Sequence, residues 1–319
     1  MAKKQTEFGI AMRNFTKFPE MPSAQELIDY GVRMEELGFE SLWAWDHILL
    51  GVVPNFPIHE ALIILTAVAA RTKTIKVGTG ILVMPVRNPV ILAKELATID
   101  HVSNGRLLVG AAVGWYKREF DSLGVDFTKR GKIMEQSLDI ISRLWSEHHV
   151  DGDYPPYTLR GATLYPKPVQ KPRPPILIGG YVDAVLKRAA TKGDGWLTYY
   201  YTAESFARGW AKVRNFAEEA GRNPDELIST NQLPICVGPR IKVEAQMKEW
   251  LQTEWDYASW SESTMDSAII GTPDECVAQL EAHLETGIDR IIFVPYRYEN
   301  EQVDALAKEI IPKLKARMR

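Results

Sequence analysis

Short apolar runs alternate along this chain with longer stretches whose apolar positions recur every three or four residues. Residues 75–115, IKVGTGILVMPVRNPVILAKELATIDHVSNGRLLVGAAVGW, carry the pattern most plainly. The first run is rich in β-branched residues. Asn88 followed by Pro89 then makes an N-cap with proline at the first helical position. Leu92, Leu96 and Ile99 recur at helical spacing, Ser103-Asn104-Gly105 breaks the helix, and a second apolar run covers 106–113. This predicts two parallel strands covered by a helix, the third and fourth strands of the chain. Glycine falls in or at the ends of those strands, at Gly78, Gly80, Gly110 and Gly114, where it marks a bulge or a close approach.

The same alternation predicts strands over 6–12, 39–45, 175–179, 195–199, 231–237 and 290–295. The first helix has Leu27, Gly31, Met34 and Leu37 on one face behind a capping box at Ser23 and Glu26. Further helices are predicted over 59–70, from about 131 with Met134, Leu138, Ile141 and Trp145 on one face, over 182–192 and over 202–220. Residues 115–130 read as a polar connection. A second capping box, Thr272 with Glu275, opens a helix carrying Val277, Leu280 and Leu284, and a last helix ends the chain. Two segments break the rhythm. Residues 148–174 are rich in proline and small polar groups and read as an irregular excursion with room for a short hairpin. Residues 240–270 hold a helix with Val243, Met247, Trp250 and Leu251 on one face, then Trp255, Tyr257 and Trp260, as a lid, a dimer contact or rim packing.

Eight strands alternating with helices predict a (β/α)8 barrel in one domain over 1–319, with 148–174 and 240–270 as insertion segments. A doubly wound open sheet is the competitor, and it often carries a glycine fingerprint in its first βα turn. That turn here, AMRNFTKFPE, has no glycine.

Composition narrows the class. The chain has 319 residues, 45% of them hydrophobic and 25% charged, as in an ordinary globular protein. A net charge of −3 gives no reason to expect nucleic acid or an anionic membrane as partner. No apolar run approaches the ~18–20 residues of a membrane span, and MAKKQTEFG lacks a signal core, so the expected location is cytoplasmic. Cys236 and Cys276 form no metal-ligand pattern. They are expected as reduced, buried thiols, with a disulfide as the alternative.

In a barrel, chemistry sits at the C-terminal ends of the strands, which here selects 13–15, 45–47, 80–87, 114–118, 179–182, 199–201, 238–270 and 295–298. Asp46-His47 is the first candidate. Histidine can give or take a proton near neutral pH, and a neighbouring carboxylate can fix its tautomer. The structural alternative is a histidine packed at a strand end. His59, His101, His148, His149 and His283 fall on predicted helices or the excursion and read as surface or core-edge groups. No pair has the spacing of a zinc hydrolase, and no metal site is expected. Gly179-Gly180, between a strand and a helix start, suits a phosphate or a plain tight turn. Phe15, Trp45, Trp115, Tyr199, Tyr200 and Tyr201 suit a flat ring or ordinary packing.

Taken together, WAWDH, VGTGILVMPVRNPVILAKELATID, SNGRLLVGAAVGW, PKPVQKPRPPILIGG and KGDGW resemble the bacterial luciferase-like flavin oxidoreductases, and most of all the subgroup that uses the deazaflavin coenzyme F420. The resemblance implies a cofactor at the barrel mouth, backed by a bulge after the third strand with a non-proline cis peptide near Gly80-Ile81. It implies His47 as the catalytic proton donor or acceptor beside the transferred hydride. Asp46, Thr79, Gly80, Ile81, Val83, Val113, Gly114, Gly179, Gly180, Tyr181 and Val182 are the implied cofactor-binding residues. Phe15, Trp45, Trp115 and Tyr199 form the implied substrate pocket. Sugar-phosphate dehydrogenases of the family carry glutamate where this chain has Trp115. That departure points away from sugar phosphates, towards a small, fairly apolar substrate. A two-component monooxygenase using FMN is the alternative, and a barrel that binds flavin without turnover is a third reading. A homodimer is expected, with a cofactor-reducing enzyme as a possible partner.

Overall fold

The apolar runs of the chain become parallel strands because each is buried on both faces, so period-two alternation is weak while β-branched content is high. The computed structural model describes residues 5–51, 56–255 and 261–318. β1 (Glu7–Ala11), β2 (Ser41–Ala44), β3 (Lys76–Val83), β4 (Leu107–Ala112), β7 (Ile176–Gly179), β8 (Gly195–Tyr199), β9 (Ile228–Val237) and β11 (Arg290–Pro295) form a closed parallel ring. Closure falls to β9. It pairs with β8 through Ile228 to Gln232 and with β11 through Thr230 to Ile235. The result is the (β/α)8 barrel that the alternation predicts.

Among the described residues, three strands stand outside the ring. β5 (Val150–Tyr154) and β6 (Tyr157–Ala162) are an antiparallel hairpin, which gives the 148–174 excursion its order. β10 (Ile269–Gly271) adds to the far end of β9 and was too short to leave a sequence signal.

The helices begin where the caps say. Ser23 accepts from the Glu26 N–H at the start of α1 (Ala24–Glu36), and Asn88 accepts from Val90 and Ile91 N–H at the start of α3 (Pro89–Val102). Thr272 and Glu275 form a reciprocal capping box opening α10 (Pro273–Glu285). α2 spans Ala61–Arg71, so His59 lies ahead of it, with its Nε2 2.8 Å from the Pro22 carbonyl. His283 departs from the expectation of a core-edge group. Its helix packs it inward and it is only 3% exposed. In α8 (Arg240–Trp250), Val243, Met247 and Trp250 are buried together, as their spacing predicts, and Leu251 follows them inside. Tyr257 and Trp260 lie outside the described residues. Both cysteines are free and buried, and burial pushes each thiol up to about 12. No described helix is long and apolar enough to cross a membrane.

Trp43 is the largest of the side chains that fill the upper barrel interior together with Leu108, Leu177, Leu197 and Ile292. Trp43 is fully buried, and its indole N–H donates to Ser41 Oγ at 2.8 Å. A Cβ at Gly78 would lie 2.5 Å from the Trp43 ring, so the glycine in the middle of β3 is a packing requirement. Below the indole, the Arg290 guanidinium sits 5.7 Å from the ring centre and pairs with Glu7, which also takes Lys76. The polar floor and Trp43 separate the two ends of the barrel, and the mouth at the C-terminal ends of the strands is where a barrel gathers its chemistry.

Candidate active site

At that mouth the ends of β1 to β4 and of β8 converge on one pocket. Phe15, Trp45, Asp46, His47, Gly80, Ile81, Val83, Gly114, Trp115 and Tyr199 line it, together with Leu50, Ile58, Ala112 and Tyr200. Ten of the sequence-predicted positions thus come together. Thr79, Val113, Gly179, Gly180, Tyr181 and Val182 do not line it. Thr79 is fully buried, and its hydroxyl donates to the Gly110 carbonyl at 2.8 Å. Val113 packs against the outer core. The Gly180 carbonyl accepts from the Trp196 indole at 2.7 Å, while Tyr181 and Val182 are exposed. The helix after them, α6 (Asp183–Lys192), has no side-chain cap.

The floor is an irregular stretch of β3. The register between β3 and β4 shifts between Thr79 and Leu82, and the peptide bond between Gly80 and Ile81 is cis. Gly114 closes the adjacent edge with φ of +78°, and a Cβ there would lie 2.7 Å from Val83 Cγ1 and 2.9 Å from the Phe120 ring. Only glycine meets both conditions. The walls are aromatic. Trp45 stands edge-on to Phe15 with centroids 6.1 Å apart, and its indole N–H donates to the Tyr298 hydroxyl at 3.2 Å. Asn14, fully buried, holds the Trp45 backbone from both sides, accepting from its N–H at 2.9 Å and donating to its carbonyl at 2.8 Å.

His47 is the imidazole in the described pocket wall, edge-on to Trp115 at 5.8 Å. Its Nδ1 lies 2.9 Å from Glu119 Oε2. Glu119 has no exposed surface, and its other oxygen accepts from the Ile48 and Leu49 N–H groups at 2.5 and 3.1 Å. Burial pushes the Glu119 carboxyl up. The hydrogen bond and charge of His47 and the two N–H groups outweigh it and hold the acid below the usual carboxylate range. An ionised carboxylate can only accept, so Nδ1 carries a proton and Nε2 is left for a bound molecule.

Asp46 turns the other way. Its oxygens accept from the Val83 N–H at 2.8 Å and from Arg87 at 2.6 Å, and Arg87 also pairs with Glu60 at 2.8 Å. Glu60 in turn caps α2 through the Ile63 N–H. The carboxylate that contacts His47 is therefore not its chain neighbour Asp46. Glu119 belongs to α4 (Lys117–Ser122), a short helix inside the stretch that reads as a polar connection. Its sequence signal is a carboxylate set directly before Phe120, seven residues beyond the end of β4.

Known proteins share this architecture. An F420-dependent glucose-6-phosphate dehydrogenase of Amycolatopsis mediterranei (strain U-32) is 28% identical over 320 residues, covering 92% of this chain and 95% of that one. An FMNH(2)-dependent dimethylsulfone monooxygenase of Pseudomonas putida is 26% identical over 290 residues, covering 80% and 78%. The crystal structure of a monooxygenase from Streptomyces bottropensis superposes with a TM-score of 0.82 at 22% identity, over 97% of this chain and 99% of that one, and shows the same fold. The model of the luciferase-like monooxygenases matches residues 6–290, and the chain belongs to that family.

Proposed function

We propose that this protein transfers a hydride between coenzyme F420 and a small, fairly apolar organic molecule, with His47 giving or taking the accompanying proton. The observation that carries the reading is the His47–Glu119 pair beside the Gly80–Ile81 shelf. It leaves one ring nitrogen facing an apolar pocket with its tautomer set. The residues present fit a flat tricyclic ring: Gly80 and Ile81 give a floor, Gly114 and Val83 an edge, and Trp45 and Trp115 the walls. When bound, the deazaflavin supplies the hydride donor or acceptor. Asp46 acts from behind, since both its oxygens are taken by Val83 and Arg87, and it holds the strand end that presents His47. The aromatic walls exclude water and orient the substrate.

The dehydrogenase relative supports the cofactor. Its sugar phosphate is not proposed as substrate here, because Trp115 stands where sugar-phosphate enzymes of the family carry glutamate. The FMN-dependent relative makes FMN with oxygen the second reading. Equilibrium titration of the purified protein with each cofactor separates the two. Binding of the deazaflavin is expected, and micromolar FMN binding with no deazaflavin affinity overturns the proposal. A homodimer is part of the same reading. It is supported by two exposed isoleucines on adjacent helices, Ile63 of α2 at 72% and Ile91 of α3 at 57%. Sedimentation of the protein against an Ile63→Lys variant tests it, and a monomer in both samples removes it.

A further inference from the structure

A second cavity opens beside the pocket just described and shares Tyr199 and Tyr200 with it. It holds about 440 Å³. Tyr181 and Tyr201 complete its aromatic lining, and Asp266, at the end of the helix Ser261–Asp266, supplies a carboxylate. The rings meet at steep angles. Tyr181 and Tyr199 are 76° apart with centroids at 6.2 Å, and Tyr199 and Tyr200 are 78° apart at 5.5 Å. Tyr200 keeps its place with φ of +62°, and its N–H donates to the Gln232 carbonyl at 2.8 Å. Four aromatic rings set around one space, with the hydroxyls of Thr202, Ser205 and Thr264 between them and a carboxylate at the rim, suit positive charge: the rings through their quadrupoles and Asp266 directly. A phosphate or carboxylate in the same space is repelled by both. Among the described lining residues, Asp266 is the one that carries charge.

We infer that this cavity is an organic-cation subsite, an aromatic cage for a quaternary ammonium or protonated amine. Because Tyr199 and Tyr200 face both cavities, a molecule whose reacting carbon lies beside His47 reaches the cage with its other end. Placing the cation on the substrate rests on the hydride-transfer reading, whereas the cage itself does not.

Calorimetric titration of the full chain with choline and with its uncharged isostere 3,3-dimethylbutan-1-ol tests the cage. Choline is expected to bind about tenfold or more tightly than the alcohol. Asp266→Asn, a change at an exposed position, is expected to weaken choline about three- to tenfold and leave the alcohol unchanged. Tyr181→Phe keeps the ring face and the binding, while Tyr181→Ala loses most of it. Equal affinities for choline and the alcohol, no choline binding at tens of millimolar, or an Asp266→Asn variant that binds choline as before each overturns the cage. A deazaflavin titration in parallel keeps the two proposals apart. Absence of deazaflavin binding removes the hydride-transfer reading and the substrate assignment whatever choline does. Failure of choline with the deazaflavin still bound removes only the cage.

Discussion

His47 and Glu119 are 72 residues apart in the chain and 2.9 Å apart in space. The glutamate arrives on α4, after β4, while the histidine follows β2, so their meeting spans β3, the strand that lies between the two. By binding the Ile48 and Leu49 N–H groups with its second oxygen, Glu119 also fixes the backbone just beyond the histidine.

Replacing Glu119 by Gln keeps the shape and removes the charge. If His47 moves a proton, kcat/KM should fall about 10- to 100-fold with little change in cofactor affinity, the range seen when an orienting partner is lost. An unchanged kcat/KM, or a loss matched by an equal loss of cofactor affinity, argues against an orienting role for Glu119. The depressed acidity of Glu119 also has a stability side. Its contribution is present above the ordinary glutamate value of 4.5 and lost as pH falls below it.

Arg87 neutralises Asp46, a carboxylate with no exposed side-chain surface. An Arg87→Met variant leaves that charge buried without its counter-ion, and should be destabilised by roughly 3–5 kcal/mol in urea unfolding. Adding Asp46→Asn to it should recover part of the loss. A double variant whose cost equals the sum of the Arg87→Met and Asp46→Asn costs would show that the pair is not coupled.

His283 is buried on α10 with its Nδ1 lacking a hydrogen-bond partner, and burial lowers its pKa from 6.5 to about 4. The folded state therefore disfavours the protonated ring. Stability present above pH 6.5 is lost as pH falls towards about 4, by up to ~3 kcal/mol. A His283→Leu variant should flatten the stability curve across that window. A slope unchanged from the parent protein in His283→Leu would place the acid sensitivity elsewhere.

Gly114 has no tolerated replacement in this geometry. Gly114→Ala combines left-handed backbone with a clash against Val83 and Phe120, and should cost about 1–3 kcal/mol. The same clash pushes on the edge of the cofactor pocket, so deazaflavin affinity should drop with it. Thermal unfolding and cofactor titration of one preparation measure both, and an intact affinity at lowered stability would detach this edge from the ring.

The barrel is legible in the sequence because buried parallel strands are nearly continuous apolar runs, and caps such as Asn88-Pro89 mark the helix starts. β10 is not, since three residues, Ile269–Gly271, make no pattern. The pocket positions follow from the rule that chemistry gathers at strand ends, which is why Trp45, His47, Gly80 and Trp115 meet where they do. Partnerships are another matter. Asp46 is adjacent to His47 along the chain and bonded to Val83 and Arg87 instead, while the carboxylate that reaches the imidazole sits in a run, KREFD, that reads as solvated charge. Composition and periodicity carry no information about which way such a group turns. Tyr181 and Val182 show the same limit, since the turn they occupy faces solvent.

The indole of Trp43 gives β2 a kind of key. That strand is only four residues long, Ser41–Ala44, too short for its ladder bonds alone to enforce alignment. A slip of one position would drive the indole outwards into the helix layer and leave a void in front of Gly78, so misaligned pairings are excluded by volume. His47 lies four positions further along the same segment. The fidelity with which the imidazole is delivered to the rim is thus decided at the centre of the molecule, by a side chain outside the pocket lining.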